Sequence, residues 1–387
     1  MDITSLSSET FALIRAEWND LLSRSVTDSV FLRWEWIHTW WDVFKQNKKL
    51  LILIARLEGR LVGIAPFYID RTGFLGLRTL RFCSEELSPD YLDVIAESGR
   101  EEEVTRHLVN GLFQRSGQWD LIVLDNLSAE SHLLTDPALF RDCVRASRVS
   151  HQCPYIKIEG TFDDYYQPRT QLSRFGFKKK LKVLLDQKKV THHVVSDEQG
   201  LAGALDDLFA LHKKRSRLKN IQSNFLSPEV RRFHHKLSRL FFHERILSLQ
   251  LLQDGKAPIS AVYAFNYKNK IFVFQIAFDP DWSKWSAGAV LIYFCVQSAF
   301  ENGLREFDWL KGTESYKSFW ADAVRDEMQL TVYNRNLRGS VWRAWNSLKS
   351  ALKKIENRLA TRKESIPLRH FSNADLPATL GNTTRTS

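Results

Sequence analysis

Three runs of apolar residues in the last third of the chain have the length and spacing of strands. They cover residues 245–253, 257–267 and 270–278, and they are rich in β-branched and aromatic side chains. Asp-Gly separates the first two runs and Lys-Asn separates the second two, and both dipeptides are typical of tight turns between antiparallel strands. We therefore predict three antiparallel strands, the last of which ends at Asp279-Pro280.

A helix and a further strand are predicted after this meander. From 287 to 301 the apolar residues recur at helical spacing, and Asn302-Gly303 provides a suitable end. Ser286 stands where an N-cap belongs, and we expect its hydroxyl to accept a backbone N–H of the first turn. A strand over 305–310 and a short helix over 313–320 follow.

The turn that begins this helix has the character of an anion site. The first N–H groups of a helix have no partner inside the helix, and the helix dipole favours negative charge there. Small residues would let a phosphate approach the backbone, and two lysines are close in sequence. The predicted phosphate-binding residues are Lys284, Ser286, Ala287, Gly288 and Ala289, with Lys317 nearby. The alternative is an ordinary strand–helix–strand unit with a good N-cap.

Several phrases of this segment resemble one known family. They are residues 286–291 (SAGAVL), residues 299–308 (AFENGLREFD), and Gly312 followed by residues 316–320 (YKSFW). They are similar to the second half of GNAT-type acyltransferase domains. The chain resembles most the CelD-like, cellulose-biosynthesis-associated GNAT proteins, which are related to the Fem-type aminoacyl transferases. The resemblance implies that the loop-to-helix turn holds the pyrophosphate of coenzyme A.

The resemblance also implies which residues are catalytic, from their positions relative to the matching phrases. In GNAT enzymes a tyrosine after the fifth strand often acts as the acid, and Tyr316 falls there. Lys317 would polarise a carbonyl or phosphate, as the Fem-type fold implies. Asp308 ends the preceding strand and is our candidate base, with capping of the following loop as its alternative role.

The predicted helix over 201–219 borders the acceptor site in the resembled family. This places His212 and Arg215, three residues apart, as substrate-binding residues. The alternative is that basic residues there only complement the helix dipole. Trp320, in the matching phrase at 316–320, is also assigned to substrate binding by the resemblance.

The N-terminal half repeats a similar order of elements. A helix at 34–44 with buried tryptophans, a hairpin over 50–69, a helix over 101–115, a strand over 119–125 and a helix over 132–147 are predicted. No glycine-bearing phosphate turn precedes the 101–115 helix, whose first turn carries three glutamates and would repel a phosphate. We interpret this half as a degenerate GNAT-like copy. Asp90 and Asp93 within it are expected to be solvated loop acids rather than acid–base or metal-binding groups.

These observations predict an α/β protein of tandem GNAT-like domains with mixed α+β sheets, plus a C-terminal helix. The first domain is expected over 1–151 and the second over 152–337, each with its own sheet. A basic amphipathic helix would cover 338–363 and a disordered tail 364–387. The basic helix suits an anionic membrane surface or a partner, although packing on the domain is the favoured alternative.

Composition and charge narrow the class of protein. The chain has 387 residues, a net charge of +10 and four cysteines without CxxC spacing, which argues against disulfides and a zinc site. Eight of the basic residues lie in 169–189 and eight in 338–363, each with one acidic residue. We see no signal peptide and no membrane span, and expect a cytoplasmic protein, with a peripheral location at the inner face of the membrane as the alternative.

The predicted function is N-acyl transfer from acetyl-CoA or another acyl-CoA, without a metal, to an amine or hydroxyl. The acceptor would be a small molecule or saccharide in cell-envelope or exopolysaccharide biosynthesis, with the envelope-polysaccharide machinery as partner. One alternative is a Fem-type transferase that uses aminoacyl-tRNA. Another is a non-catalytic protein of the same fold that binds an anionic ligand.

Overall fold

The protein is described by a computed structural model that covers residues 1–71, 76–172, 176–218, 220, 223–336 and 338–344. Residues 1–336 form one compact unit. It is built on a single 13-stranded mixed sheet with helices on its faces, which confirms the predicted α/β class.

Seven strands and five α-helices lie in the described residues of the N-terminal half. They are β1 (Asp2–Ser5), α1 (Ser8–Leu13), α2 (Arg15–Ser23), α3 (Trp34–Phe44), β2 (Lys48–Leu57), β3 (Arg60–Asp70), β4 (Thr79–Phe82), β5 (Ile95–Ala96), α4 (Glu101–Phe113), β6 (Leu121–Ser128), α5 (His132–Thr135) and β7 (Val144–Lys157).

Where the structure describes the C-terminal half, it has six strands and six α-helices. They are α6 (Phe162–Leu172), α7 (Phe177–Lys182), β8 (Thr191–Val194), α8 (Glu198–Leu218), α9 (Pro228–His243), β9 (Leu247–Asp254), β10 (Ala257–Tyr267), β11 (Lys270–Phe278), α10 (Ala287–Glu301), β12 (Glu306–Asp308), α11 (Ser315–Trp320) and β13 (Ala323–Tyr333). A π-helical turn, Val183–Gln187, continues α7. The predicted meander and the 287–301 helix are confirmed.

The two halves repeat one order of elements. In the first, β2, β3 and β4 are antiparallel neighbours, α4 follows, and β6 pairs parallel with β4. In the second, β9, β10 and β11 are antiparallel neighbours, α10 follows, and β12 pairs parallel with β11. The predicted tandem arrangement is therefore visible in the topology.

The prediction that each half has its own sheet is wrong. The last strand of each half crosses to the other half: β7 pairs with β12, and β13 pairs with β6. The two exchanged strands then pair with each other along their length, from Ala323↔Tyr155 to Tyr333↔Val144. One continuous sheet results, in the order β1-β2-β3-β4-β6-β13-β7-β12-β11-β10-β9-β8.

The predicted helix over 132–147 is also wrong. Only His132–Thr135 is helical, and Val144–Lys157 is an extended strand. The expected boundary at residues 151 and 152 therefore lies inside β7 rather than in a loop. Cys153 and Pro154 can occupy this strand because tertiary pairing on both sides outweighs their weak local preference.

A shared core holds the two halves together. The aromatic face of α3 is buried as predicted, and Trp36 is fully buried against Phe233 of α9 and Phe265 of β10. A second core lies on the opposite face of the C-terminal sheet, where α10 packs with α6. Burial of this much aromatic surface across the halves makes them one folding unit.

The C-terminal segment is a separate unit, 337–387. Residues 338–344 are helical, while 345–363 of the predicted basic helix and the expected tail over 364–387 lie outside the described residues. Within the described parts of the chain, helices of the length and apolarity needed to cross a membrane do not occur.

A chain that ends at Asn336 should keep the fold, because the amide of Asn336 still contacts Asp120 and Trp119. A chain that ends at residue 151 should not fold, because β6 and β7 then both lose β13. Circular dichroism and urea unfolding of the two truncated chains check this. Independent cooperative unfolding of the 1–151 chain would contradict it.

Candidate active site

A cleft opens where the parallel strands β11 and β12 separate. The two strands pair only from Lys270↔Glu306 to Phe272↔Asp308. Beyond this point their continuations form two walls of a cavity of about 680 Å³, with Val273–Ile276 on one side and Trp309–Lys311 on the other. The remaining walls come from the N-terminal half, α8, α9 and α11. They include Glu86, Ser88, Asp90, His212, Arg215, Ser227, Glu314, Tyr316 and Lys317.

The start of α10 lies at the far end of the same strand. Beyond Phe278 the chain makes a 3₁₀ turn, Pro280–Trp285, and enters α10 through Ser286. Ser286 is the N-cap by position, but its backbone is left-handed (φ 57°) and its hydroxyl does not cap the helix. The hydroxyl accepts from Lys180 Nζ at 2.9 Å instead. The predicted serine cap is therefore wrong, and no side-chain hydrogen bond from Ser286 occupies the first turn.

Gly288 has a packing reason for being glycine. A Cβ at this position would lie 3.0 Å from Cδ1 of Phe278, the last residue of β11. Ala287 and Gly288 are both buried against the sheet. Glycine at this position therefore allows a close approach between α10 and its own strand, while its role in admitting a ligand stays a prediction.

Three lysines surround this helix start. Lys284 lies in the 3₁₀ turn, with Nζ 4.0 Å from the ring centroid of Trp285. Lys188 approaches the same ring from the end of the π-helical turn, at 5.0 Å. With Lys180 they place three positive charges beside the positive end of the α10 dipole. Sequence reasoning named only Lys284, because the other two come from residues about 100 positions earlier.

Tyr316 and Lys317 lie on the cavity wall as predicted. The short helix α11 presents both of them, and Tyr316 packs its ring against Trp309 at 5.9 Å between centroids. Burial raises the pKa of Tyr316 above its usual value, with a further contribution from Glu314, so the phenol keeps its proton at neutral pH. Lys317 is buried, and its Nζ donates to the carbonyl of Lys311 at 2.6 Å.

His212 and Arg215 reach the cavity from α8. Burial lowers the pKa of His212, and nearby Arg215 adds to the effect, so the imidazole is neutral at pH 7. Its Nδ1 lies 2.7 Å from Ser223 Oγ. Arg215 donates Nη1–H to the carbonyl of Ile276 at 3.1 Å, whereas its buried Nε has no hydrogen-bond partner among the described residues. A buried donor of this kind is unusual and favours a ligand acceptor.

Of the predicted catalytic and substrate-binding residues, two do not line the cavity, and neither do the five predicted phosphate-binding residues around the start of α10. Trp320 is buried in the second core, where its ring stacks on Tyr166 at 5.6 Å, so its observed environment is that of a core residue. Asp308 lies behind the wall, fully buried. Its Oδ1 accepts the N–H of Leu310 at 2.8 Å, which is the alternative capping role, and its Oδ2 accepts from Tyr91 Oη at 2.7 Å. Burial raises the pKa of Asp308 to about 7.

Asp90 and Asp93 of the N-terminal half are not solvated, contrary to the sequence-based expectation. Asp90 and Asp93 are 1% and 4% exposed. Asp93 accepts from Ser131 Oγ at 2.9 Å, and burial raises its pKa to about 7. Asp90 faces Glu327 of β13, and burial together with the nearby Asp90 raises the pKa of Glu327. Sequence reasoning missed Glu327, because only the pairing of β13 with the N-terminal half brings it here.

Asp90, Cys153 and Glu327 offer ligand atoms within 4.8 Å of one another, a spacing that could hold a metal ion. However, Lys311 Nζ lies 3.0 Å from Asp90 Oδ1. An ammonium group at that distance already compensates the carboxylate and disfavours a second cation. The expectation that the protein works without a metal stays a prediction.

Comparison with solved structures shows the fold class of the whole compact unit. FemX superposes with a TM-score of 0.60 at 9% identity, and the match covers 89% of this chain and 99% of FemX. A conserved protein of unknown function from Bacteroides thetaiotaomicron VPI-5482 gives a TM-score of 0.52 at 8% identity, with 86% and 99% covered. L-PGS from Bacillus licheniformis gives 0.50 at 10% identity, with 83% and 92% covered. No curated protein matches the chain in sequence.

The sequence match is to a narrower part of the chain. Residues 173–318 match the family described as acetyltransferase (GNAT) domain. This segment contains β11, α10, β12 and the cleft between them. The protein therefore carries a GNAT domain in its C-terminal half and is an acyltransferase, as predicted.

Replacing Gly288 with valine should destabilise the protein by about 1–3 kcal/mol, because the added methyl groups overlap Phe278. Urea unfolding measures this. Gly203 in α8 is the control, since a Cβ there meets nothing within 4 Å. Gly203→Ala should stabilise by roughly 0.5–1 kcal/mol. A Gly288→Val protein as stable as the wild type would show that α10 does not pack this tightly on β11.

Proposed function

We propose that the protein transfers an acyl group from acyl-CoA, acetyl-CoA being the expected donor, to an amine or hydroxyl acceptor. The observation that carries this proposal is the separation of β11 and β12. It leaves β11 without a strand partner on the cavity side beyond Phe272 among the described residues, so an extended thioester arm can lie along this edge as an added strand would.

The proposed phosphate site lies at the end of this cleft. Backbone N–H groups of Ala287, Gly288 and Ala289 open α10, and Lys180, Lys188 and Lys284 add positive charge around them. Helix N-termini bind phosphates because the unpaired donors and the dipole act together. A donor with its pyrophosphate here and its thioester near Leu310 would follow β11 along the cavity.

The proposed chemistry uses groups of the cavity wall. The acceptor attacks the thioester carbonyl, the new bond to carbon forms, and the carbon–sulfur bond breaks. Tyr316 donates its phenolic proton to the departing thiolate, and neutral His212 accepts the proton lost by the acceptor. The ammonium of Lys317 and the buried Nε of Arg215 contribute positive charge and hydrogen-bond donors for the carbonyl oxygen.

The acceptor is proposed to be a small molecule or saccharide of the cell envelope. The cavity wall outside β11 includes the polar residues Glu86, Ser88, Ser227 and Glu314. Hydroxyl and carboxylate groups of this kind suit a ligand rich in hydroxyl or amino groups. The envelope-polysaccharide pathway rests on the resemblance to CelD-like proteins.

One further candidate is transfer from an aminoacyl-tRNA, as in the Fem-type transferases. The observation that favours it is the density of lysines in Phe177–Lys182, beside the start of α10. Four of these six residues are lysine, which is more charge than a single pyrophosphate requires and suits a nucleic-acid backbone. Titration of acyl-CoA and of aminoacyl-tRNA into the protein at two salt concentrations separates the two donors.

Tyr316→Phe should lower kcat by about tenfold to a hundredfold, because the leaving group loses its proton donor. The KM for the donor should stay within about twofold, since the ring and its contact with Trp309 remain. Steady-state assay with acetyl-CoA and an amine panel measures both constants. An unchanged kcat would remove Tyr316 from the proposed mechanism.

Lys284→Ala should weaken acyl-CoA binding by about fivefold to tenfold, because one charge beside the phosphates is lost. Lys256, exposed in the turn between β9 and β10, is the matched control. Lys256→Ala should leave the affinity unchanged. Calorimetric titration at low salt compares the variants with wild type, and equal affinity for all three proteins would place the donor phosphates elsewhere.

A further inference from the structure

The short turn that joins β12 to α11 carries strain and is held by groups outside itself. Leu310 has a left-handed backbone (φ 55°), which a leucine rarely adopts. The carbonyl of the next residue, Lys311, accepts the Nζ hydrogen bond of Lys317 at 2.6 Å. The position of this turn therefore fixes the position of the Lys317 ammonium on the cavity wall. Such strain persists only where the surroundings over-determine the backbone.

Two successive residues of the N-terminal half provide that constraint. Tyr91 Oη donates to Asp308 Oδ2 at 2.7 Å, and Asp308 Oδ1 accepts the N–H of Leu310 at 2.8 Å. Asp90 Oδ2 accepts the N–H of Lys311 at 3.0 Å, and Asp90 Oδ1 lies 3.0 Å from Lys311 Nζ. Asp90 thus fixes the N–H of Lys311 directly, and Tyr91 fixes the N–H of Leu310 through Asp308.

The pair is itself anchored to the exchanged strand β13. Tyr91 also has a left-handed backbone (φ 56°), and its N–H donates to Glu327 Oε1 at 2.6 Å. Arg325, two residues earlier on β13, donates Nη1–H to Asp308 Oδ2 at 3.0 Å. All of these groups are buried or half-buried, so a hydrogen bond lost here is costly to replace.

We propose that Asp90 and Tyr91 are positioning residues of the acyl-transfer site, supplied by the half of the chain that was interpreted as degenerate. They hold residues 308–311 so that Lys317 and Tyr316 face the acyl group. The inference rests on the proposed function for what the turn does. It gives the N-terminal half a defined part in the reaction, although neither residue is required to touch the substrate.

The test compares Tyr91→Phe with Tyr267→Phe. Tyr267 is a matched control because its Oη also donates to an aspartate of the opposite half. The acceptor is Asp28 Oδ1, at 2.6 Å, and it is not part of the turn. Both variants lose one tyrosine–aspartate hydrogen bond between the halves. We expect similar losses of thermal stability, whereas only Tyr91→Phe should lower kcat, by about tenfold to a hundredfold, with the donor KM within about twofold.

A second readout does not depend on turnover. Acetic anhydride is used at limiting concentration, and acylation of Lys317 is quantified by mass spectrometry in wild type and both variants. Release of the turn should make Lys317 react several-fold faster in Tyr91→Phe and leave it unchanged in Tyr267→Phe. Asp90→Ala should increase the rate as well, and Asp90→Asn less so, because asparagine can still accept the N–H of Lys311.

The outcomes separate the two proposals. A wild-type protein that turns over no acyl donor counts against the proposed function, while the Lys317 labelling still decides the positioning role. Equal kcat and equal labelling in Tyr91→Phe and Tyr267→Phe would overturn the positioning role even in an active enzyme. A kcat loss of the same size in both variants would likewise overturn it, since it would reflect loosening of the halves in general.

Discussion

The antiparallel pairing of β7 with β13 is the interaction on which the rest of the structure depends. Each of these two strands is the last strand of its own half of the chain. One edge of each strand pairs with the other exchanged strand, and the second edge pairs with a strand of the other half. Without this pairing, the facing edges of β7 and β13 would both present unsatisfied backbone groups. With it, the two repeated units share one sheet and one aromatic core. Neither half has a complete sheet without a strand from the other.

This exchange also forms a buried polar layer behind the cavity wall. β13 carries Glu327 and Arg325 to the loop that contains Asp90 and Tyr91, and β7 brings Cys153 into the same region. Buried carboxylates are costly unless they are bonded. Asp308 is bonded by Arg325, Tyr91 and a backbone N–H, and Asp90 lies beside Lys311, whereas Oε2 of Glu327 has no hydrogen-bond partner among the described residues. A polar layer between the halves thereby lies next to the cleft of the C-terminal half, where the GNAT domain matches.

The cleft itself follows from local geometry in the C-terminal half. Parallel β11 and β12 are joined by α10, and they pair over only three residues before they diverge. α10 packs so tightly on β11 that Gly288 meets Phe278, which fixes where the helix begins relative to the cleft. The basic residues that surround this start come from α7, from the π-helical turn that follows it and from the turn before α10. The arrangement therefore joins an open strand edge to a positively charged helix terminus.

The sequence by itself determined the elements with strong local signals. The β9–β10–β11 meander and α10 follow from periodicity and turn residues. The resemblance of residues 286–320 pointed to the correct class of enzyme and placed Tyr316 and Lys317 on the cleft wall. These features depend on residues near one another in the chain, so their pattern is readable without the fold.

Only the tertiary structure decided the rest. The residues 132–147 appeared helical, yet most of the segment became β7 or a turn because pairing with distant strands outweighs local preference. Trp320 matched a functional phrase but packs into the core, and Asp90 resembled a solvated loop acid but is buried against Glu327. Those outcomes depend on contacts between residues more than 100 positions apart. Local sequence patterns do not encode such contacts, because their free energy arises only when the two halves meet.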